Sequence, residues 1–148
     1  MKKNLLLGVA VFLLSHCQPK FISQTTSGNL PEAFKINLNQ TVTLNGNLGD
    51  ITFSHLDDSR CPANAVCVRQ GAAIASFTIQ TKNTEKQTVR LFIGDFMPND
   101  PRNKRSQTAD TLAIQLRNNS YQLILQEIMP YPGTTTEIPK ATIIIKKP

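Results

Sequence analysis

From Phe34 to Ile145 the apolar residues recur at every second position, and that period decides what this chain can fold into. Phe34, Ile36 and Leu38 form one set, Val42 and Leu44 the next, then Ile51 and Phe53, with His55 continuing the alternation. Ala75, Phe77 and Ile79 follow, then Val89, Leu91 and Ile93. Leu112, Ile114 and Leu116, then Tyr121, Leu123 and Leu125, and finally Ala141, Ile143 and Ile145 complete the series. Successive side chains of a strand point to opposite faces, so each set marks one face of a half-buried strand. No window of 11 or more residues beyond the leader carries a helical period.

Turn residues separate the runs. Asn45-Gly46-Asn47 supplies the positive φ of a tight hairpin, and Asn118-Asn119 lies between two strand-like runs. Pro98 and Pro101 break the chain between Gly94 and Asp110, and Pro130 and Pro132 bracket Tyr131 ahead of Gly133. Seven or eight short strands with this punctuation predict an all-β domain, a single antiparallel β-sandwich over 34–148. The 148 residues are enough for one such core. The closing run Ala141 to Ile145 ends in Lys146-Lys147-Pro148, which reads as an edge strand blunted by charge and proline. His55 is expected to cap a half-buried strand rather than to catalyse, since no G-x-S-x-G elbow accompanies it.

The N-terminus has a different character. Lys2 and Lys3 precede Leu5 to Leu14, ten residues without a polar side chain. As a helix this stretch is about 15 Å long, half of a hydrocarbon core, which suits the apolar region of an export signal over 1–16. It ends in Leu14-Ser15-His16-Cys17. That sequence resembles the lipobox of bacterial lipoproteins, with His16 in place of the usual small residue. The resemblance implies that Cys17 receives the lipid and becomes the first residue of the mature chain. Residues 17–33 are polar, rich in Ser and Thr and without periodicity, and are expected to be a flexible tether.

Cysteine count agrees. The three cysteines are Cys17, Cys61 and Cys67. Lipidation of Cys17 leaves one pair, predicted to form a structural disulfide in an oxidising compartment. Zinc needs four ligands, and no second Cys or His cluster is present, so neither metal nor cofactor is expected.

The pair sits in Asp57 to Gly71, DDSRCPANAVCVRQG. The stretch Asp58-Ser59-Arg60-Cys61-Pro62, with Cys67-Val68 and Gly71, resembles the D-S-R-C-P…C-[VI]-W-x-G signature of a group of small Bacteroidota-type lipoproteins. Arg69 stands where that group has Trp. A weaker likeness runs from Tyr121 through Pro130-Tyr131-Pro132 and Ile138 to the closing strand. The resemblance implies a β domain with this disulfide and brings no activity with it. Two readings of Asp58, Ser59 and Arg60 stay open. They bind a carboxylate or sugar, or Asp58 and Ser59 satisfy turn N–H groups while Arg60 pairs with a local carboxylate.

The stretch between Gly94 and Asp110 is the longest irregular run. Asp95, Asn99 and Asp100 offer oxygen atoms to calcium, but the EF-hand spacing is missing, so a solvated loop is expected. Asp110-Thr111-Leu112 resembles the O-glycosylation acceptor of Bacteroidota-type bacteria, and Thr111 also reads as the start of a strand. The formal charge is +6, and Lys2 and Lys3 of the leader account for two of the 16 bases set against 10 acids. The bases are scattered apart from Arg102, Lys104 and Arg105, and there is no Trp, so nucleic acid is not an expected partner. The expectation is a non-enzymatic binding or structural module of the cell envelope. It is lipid-anchored at an outer membrane and contacts an envelope protein or glycan. The alternative is a small secreted hydrolase or protease inhibitor with its site in the loops.

Overall fold

The structure, a computed structural model, describes residues 26–82, 85–95 and 106–148. Nine strands are present among them: β1 (Thr26–Gly28), β2 (Phe34–Asn37), β3 (Thr41–Leu44), β4 (Gly49–Asp58), β5 (Ala72–Gln80), β6 (Gln87–Gly94), β7 (Asp110–Leu116), β8 (Asn119–Met129) and β9 (Lys140–Lys146). They form two sheets, ordered β1-β3-β4-β5-β6 and β2-β9-β8-β7. The sheets face each other as a β-sandwich. All pairings are antiparallel except that of β1, which runs parallel to β3.

The alternating sets supply the core. Ile36, Val42, Leu44, Ile51, Phe53, Phe77, Ile79, Leu123, Leu125, Ile143 and Ile145 are all buried in one cluster. Phe53 and Phe77 stand directly opposite each other on β4 and β5, and their rings stack with centroids 5.2 Å apart. Such a cross-strand aromatic pair fixes register as well as burying area. Among the described residues, every member of the cluster lies between Ile36 and Ile145. The Asn45–Asn47 turn joins β3 to β4 with Gly46 at φ 73° and Asn47 at φ 54°, as its composition predicts.

Two β-bulges interrupt the alternation. One lies between Phe53 and His55, the other between Leu125 and Glu127. An extra residue shifts the parity of everything after it. On β4 the bulge turns His55 outward, where it is exposed, and brings Leu56 to pack on the core. This corrects the expected placement of His55 on the core face. On β8 the second bulge exposes Gln126 and Glu127 and buries Ile128.

Two further expectations change. The closing strand β9 is not an edge, since it lies between β2 and β8. β2 covers only Lys140 to Ile143 of it, so the lysine-tipped end extends beyond a short neighbour. Within the expected tether, Thr26–Gly28 forms β1. Three small residues have no room for an alternating pattern. Gly28 packs closely there: a Cβ at that position would sit 3.1 Å from the Phe34 ring.

Candidate functional site

The signature segment Asp58–Gly71 closes one end of the sandwich, where β4 ends and β5 begins. The hairpin ladder continues past the strands: Ser59 N–H donates to Ala72 O at 2.9 Å, and Cys61 N–H to Gln70 O at 2.8 Å. Ser59 Oγ donates to Ala72 O at 3.0 Å and accepts from Ala72 N–H at 3.2 Å. Cys61 and Cys67 then close the tip as a disulfide, with Cα atoms 5.9 Å apart. Gly71 turns the chain back at φ 68°, and a Cβ there would lie 1.9 Å from Ser59 O. Only glycine allows so close a backbone approach at positive φ.

Arg60 is the centre of this end. It is only 5% exposed. Its Nε donates to Asp58 Oδ1 at 2.8 Å and Nη2 to Asp58 Oδ2 at 2.7 Å, a bidentate pair. Nη1 donates to Ile128 O at 2.8 Å and Nη2 to Pro130 O at 3.2 Å. The Tyr131 ring covers the guanidinium, 4.1 Å from its centroid. These bonds engage four of the five N–H groups of the fork.

The bulges explain why these groups meet. With Ser54 inserted, the even-numbered Leu56, Asp58 and Arg60 follow the inward side of β4's continuation. With Gln126 inserted, Ile128 turns inward on the facing sheet. Arg60 therefore ties the two sheets together where their strands end. Asp110 makes a second such tie: buried at the start of β7, its Oδ2 accepts from Phe92 N–H of β6 at 3.1 Å.

Asp58 accepts the Arg60 N–H at 3.1 Å as well as the guanidinium, so the carboxylate is engaged by its own turn. A cleft of about 300 Å³ lies beside Arg60, lined by Ile93, Gln107, Glu127, Ile128 and Tyr131 among others. The Glu127 carboxylate makes it a poor seat for an anion. Across the same end, Ser106 Oγ donates to Asp95 Oδ1 at 3.1 Å and Arg69 Nε lies 4.0 Å from Asp95 Oδ2. Asn99, Asp100, Arg102, Lys104 and Arg105 lie outside the described residues, as does Cys17. Thr111 is exposed on β7, directly after the buried Asp110. Among the described residues no group of three or more His, Cys, Asp or Glu converges as a metal site would.

Sequence reasoning missed three features of this end. Tyr131 is the lid of Arg60, signalled only by its place between two prolines. The carbonyls of Ile128 and Pro130 carry no sequence signal at all. Val66 and Val68, two ordinary apolar residues in the sequence, are fully exposed beside the disulfide.

These features define a disulfide-stapled β-sandwich with a buried arginine clasp at one end. Comparison with protein-family models, with curated proteins and with solved structures gives no match for this chain.

Proposed function

We propose that this chain is an exported lipoprotein, anchored through Cys17 at a cell envelope, on an outer membrane. Its sandwich serves as a non-enzymatic module that contacts an envelope protein or glycan. The observation that carries the reading is the partition of the cysteines. Cys61 and Cys67 bond to each other, which leaves Cys17 as the remaining thiol, placed where the export signal ends. Lipid on that thiol gives it a use, and a basic, apolar leader gives it a route. The binding reading draws support from the signature segment. Two of its charged residues, Asp58 and Arg60, are spent on internal bonds, so contact with a partner falls to the exposed side chains around them, Arg69 among them.

Mass spectrometry of the N-terminal peptide tests the anchor in a bacterial host that processes lipoproteins. The expected peptide begins at Cys17 and carries a diacylglycerol adduct, and Cys17→Ser abolishes both the adduct and membrane retention. A mature N-terminus elsewhere, or a Cys17→Ser chain retained equally well, refutes the reading.

A further inference from the structure

At the end of the sandwich opposite the disulfide, elements of both sheets surround a cleft of about 690 Å³. Small-molecule sites run to roughly 300–1,000 Å³, so the cleft has the size of one. Three pieces of chain line it. They are the β1–β2 loop, which passes from one sheet to the other, the β3–β4 turn, and the strand ends that carry Tyr121 on β8 and Lys146 on β9. The Asn45 amide donates to Asn29 Oδ1 and ties the loop to the turn. Leu30 and Leu48 are held by packing on the core.

Tyr121 carries the argument. It is only 6% exposed, and its ring belongs to the core cluster. β8 is an inner strand, paired on both edges, so what Tyr121 presents to the cleft is its side chain. The phenol hydroxyl has no hydrogen-bond partner among the described residues. Buried hydroxyls are almost always bonded, because leaving one unmade costs its desolvation. An unmade bond at the floor of a cleft is a bond kept for what enters it.

The charges around the cleft are also unspent. Lys146 and Lys147 are exposed, and neither has a partner among the described residues. Glu32 lines the same cleft without pairing to either lysine. The ammonium groups only donate, and the carboxylate only accepts. A phosphate, which only accepts, would satisfy the lysines but be repelled by Glu32. A sugar hydroxyl donates and accepts at once, so it suits Glu32 and the Tyr121 hydroxyl alike.

We propose that this cleft binds a short saccharide bearing a carboxylate, of the uronic acid type. The sugar carboxylate lies against Lys146 and Lys147, a ring hydroxyl donates to Glu32, and another meets the Tyr121 hydroxyl. The C–H faces of the rings rest on Leu30, Pro31 and Leu48. The proposal rests on the glycan-contact reading and names its chemistry; it does not depend on the Cys17 anchor.

The protein is purified in mild detergent with its N-terminus as the cell leaves it. Lipidation of Cys17 therefore does not enter the result, and the mass of the N-terminal peptide decides that point separately. Titration calorimetry with trigalacturonate is expected to show sub-millimolar binding that weakens with added salt. Maltotriose, of similar size but uncharged, should bind about tenfold more weakly or not at all, and Lys146→Ala/Lys147→Ala should lose about tenfold for trigalacturonate. Tyr121→Phe removes a hydroxyl that no described residue bonds, so its Tm should equal or exceed that of the parent while its affinity falls several-fold. Trigalacturonate that fails to bind at millimolar concentration overturns the proposal, as does equal binding by the double lysine variant. A lower Tm for Tyr121→Phe with unchanged affinity makes the hydroxyl a structural group and overturns it. Tighter binding of trialanine than of trigalacturonate assigns the cleft to a peptide carboxylate and overturns it too.

Discussion

Replacing Arg60 by alanine is the sharpest test of how this domain is held together. The substitution removes both bonds to the Asp58 carboxylate and orphans the carbonyls of Ile128 and Pro130. Removing one partner of a buried pair costs about 3–5 kcal/mol, because the other charge stays behind without compensation. Here Tyr131 is partly exposed and a cleft lies alongside, so water reaches the vacated site and the lower end, about 3 kcal/mol, applies. For a domain of this size that is a fall in Tm of roughly 10–15 °C. Arg60→Lys keeps the charge but cannot form the planar fork, and should lose about 2 kcal/mol. The assay is urea denaturation of the oxidised protein followed by circular dichroism, run as a double-mutant cycle with Asp58→Ala. A coupling of at least about 1.5 kcal/mol is expected for a pair in direct contact. A loss under about 1 kcal/mol for Arg60→Ala, or a cycle additive to about 0.5 kcal/mol, would falsify the clasp.

Two glycines make a matched comparison. Gly46 and Gly71 share a φ near 70°, but a Cβ on Gly46 meets nothing within 4 Å while one on Gly71 runs into Ser59 O. Gly46→Ala should cost about 1 kcal/mol for the left-handed conformation alone, and Gly71→Ala several times that or no folding at all. Equal urea midpoints for the two variants would remove the close-approach argument. Opening the disulfide by the Cys61→Ser/Cys67→Ser double substitution should cost about 2–2.5 kcal/mol by the entropy of a loop this short. Far-UV circular dichroism should stay unchanged, because Arg60 and the Ser59–Ala72 bonds still hold the hairpin; a collapsed spectrum would show that the bridge, not the clasp, maintains this end.

The core was legible in the sequence because alternation is a local property. Val42 and Leu44, or Leu123 and Leu125, announce their shared face without any knowledge of the partner strand, and each is buried. The Cys61–Cys67 bond was legible from the number and spacing of the cysteines. The bulges were not. Ser54 and Gln126 are unremarkable in composition, yet each reverses the parity of the residues that follow, which is why His55 left the core face. Strand order was also hidden. Lysines after Ile145 look the same on an edge strand as on β9, whose place beside β2 is set by pairing with residues near the other end of the chain. Arg60 was visible as a charge next to an acid, but its burial depends on carbonyls 68 and 70 residues away, and backbone acceptors have no residue type to read.

The same physics explains why the signature segment misdirects a search for function. Asp58, Ser59 and Arg60 attract attention because charged and hydroxyl side chains are the usual instruments of binding. In the folded chain they face one another and the backbone, and their bonding capacity is largely used before any ligand arrives. Such a network stiffens what it supports, and what it supports is the loop bearing Val66 and Val68. Full exposure of apolar side chains on a stiff loop is a standing cost in water that a mobile loop could relieve by folding them inward. The clasp and the disulfide deny the loop that relief. The polar residues of the segment therefore hold the apolar ones out, and a partner that removes those valines from water gains their burial without first ordering the loop that presents them.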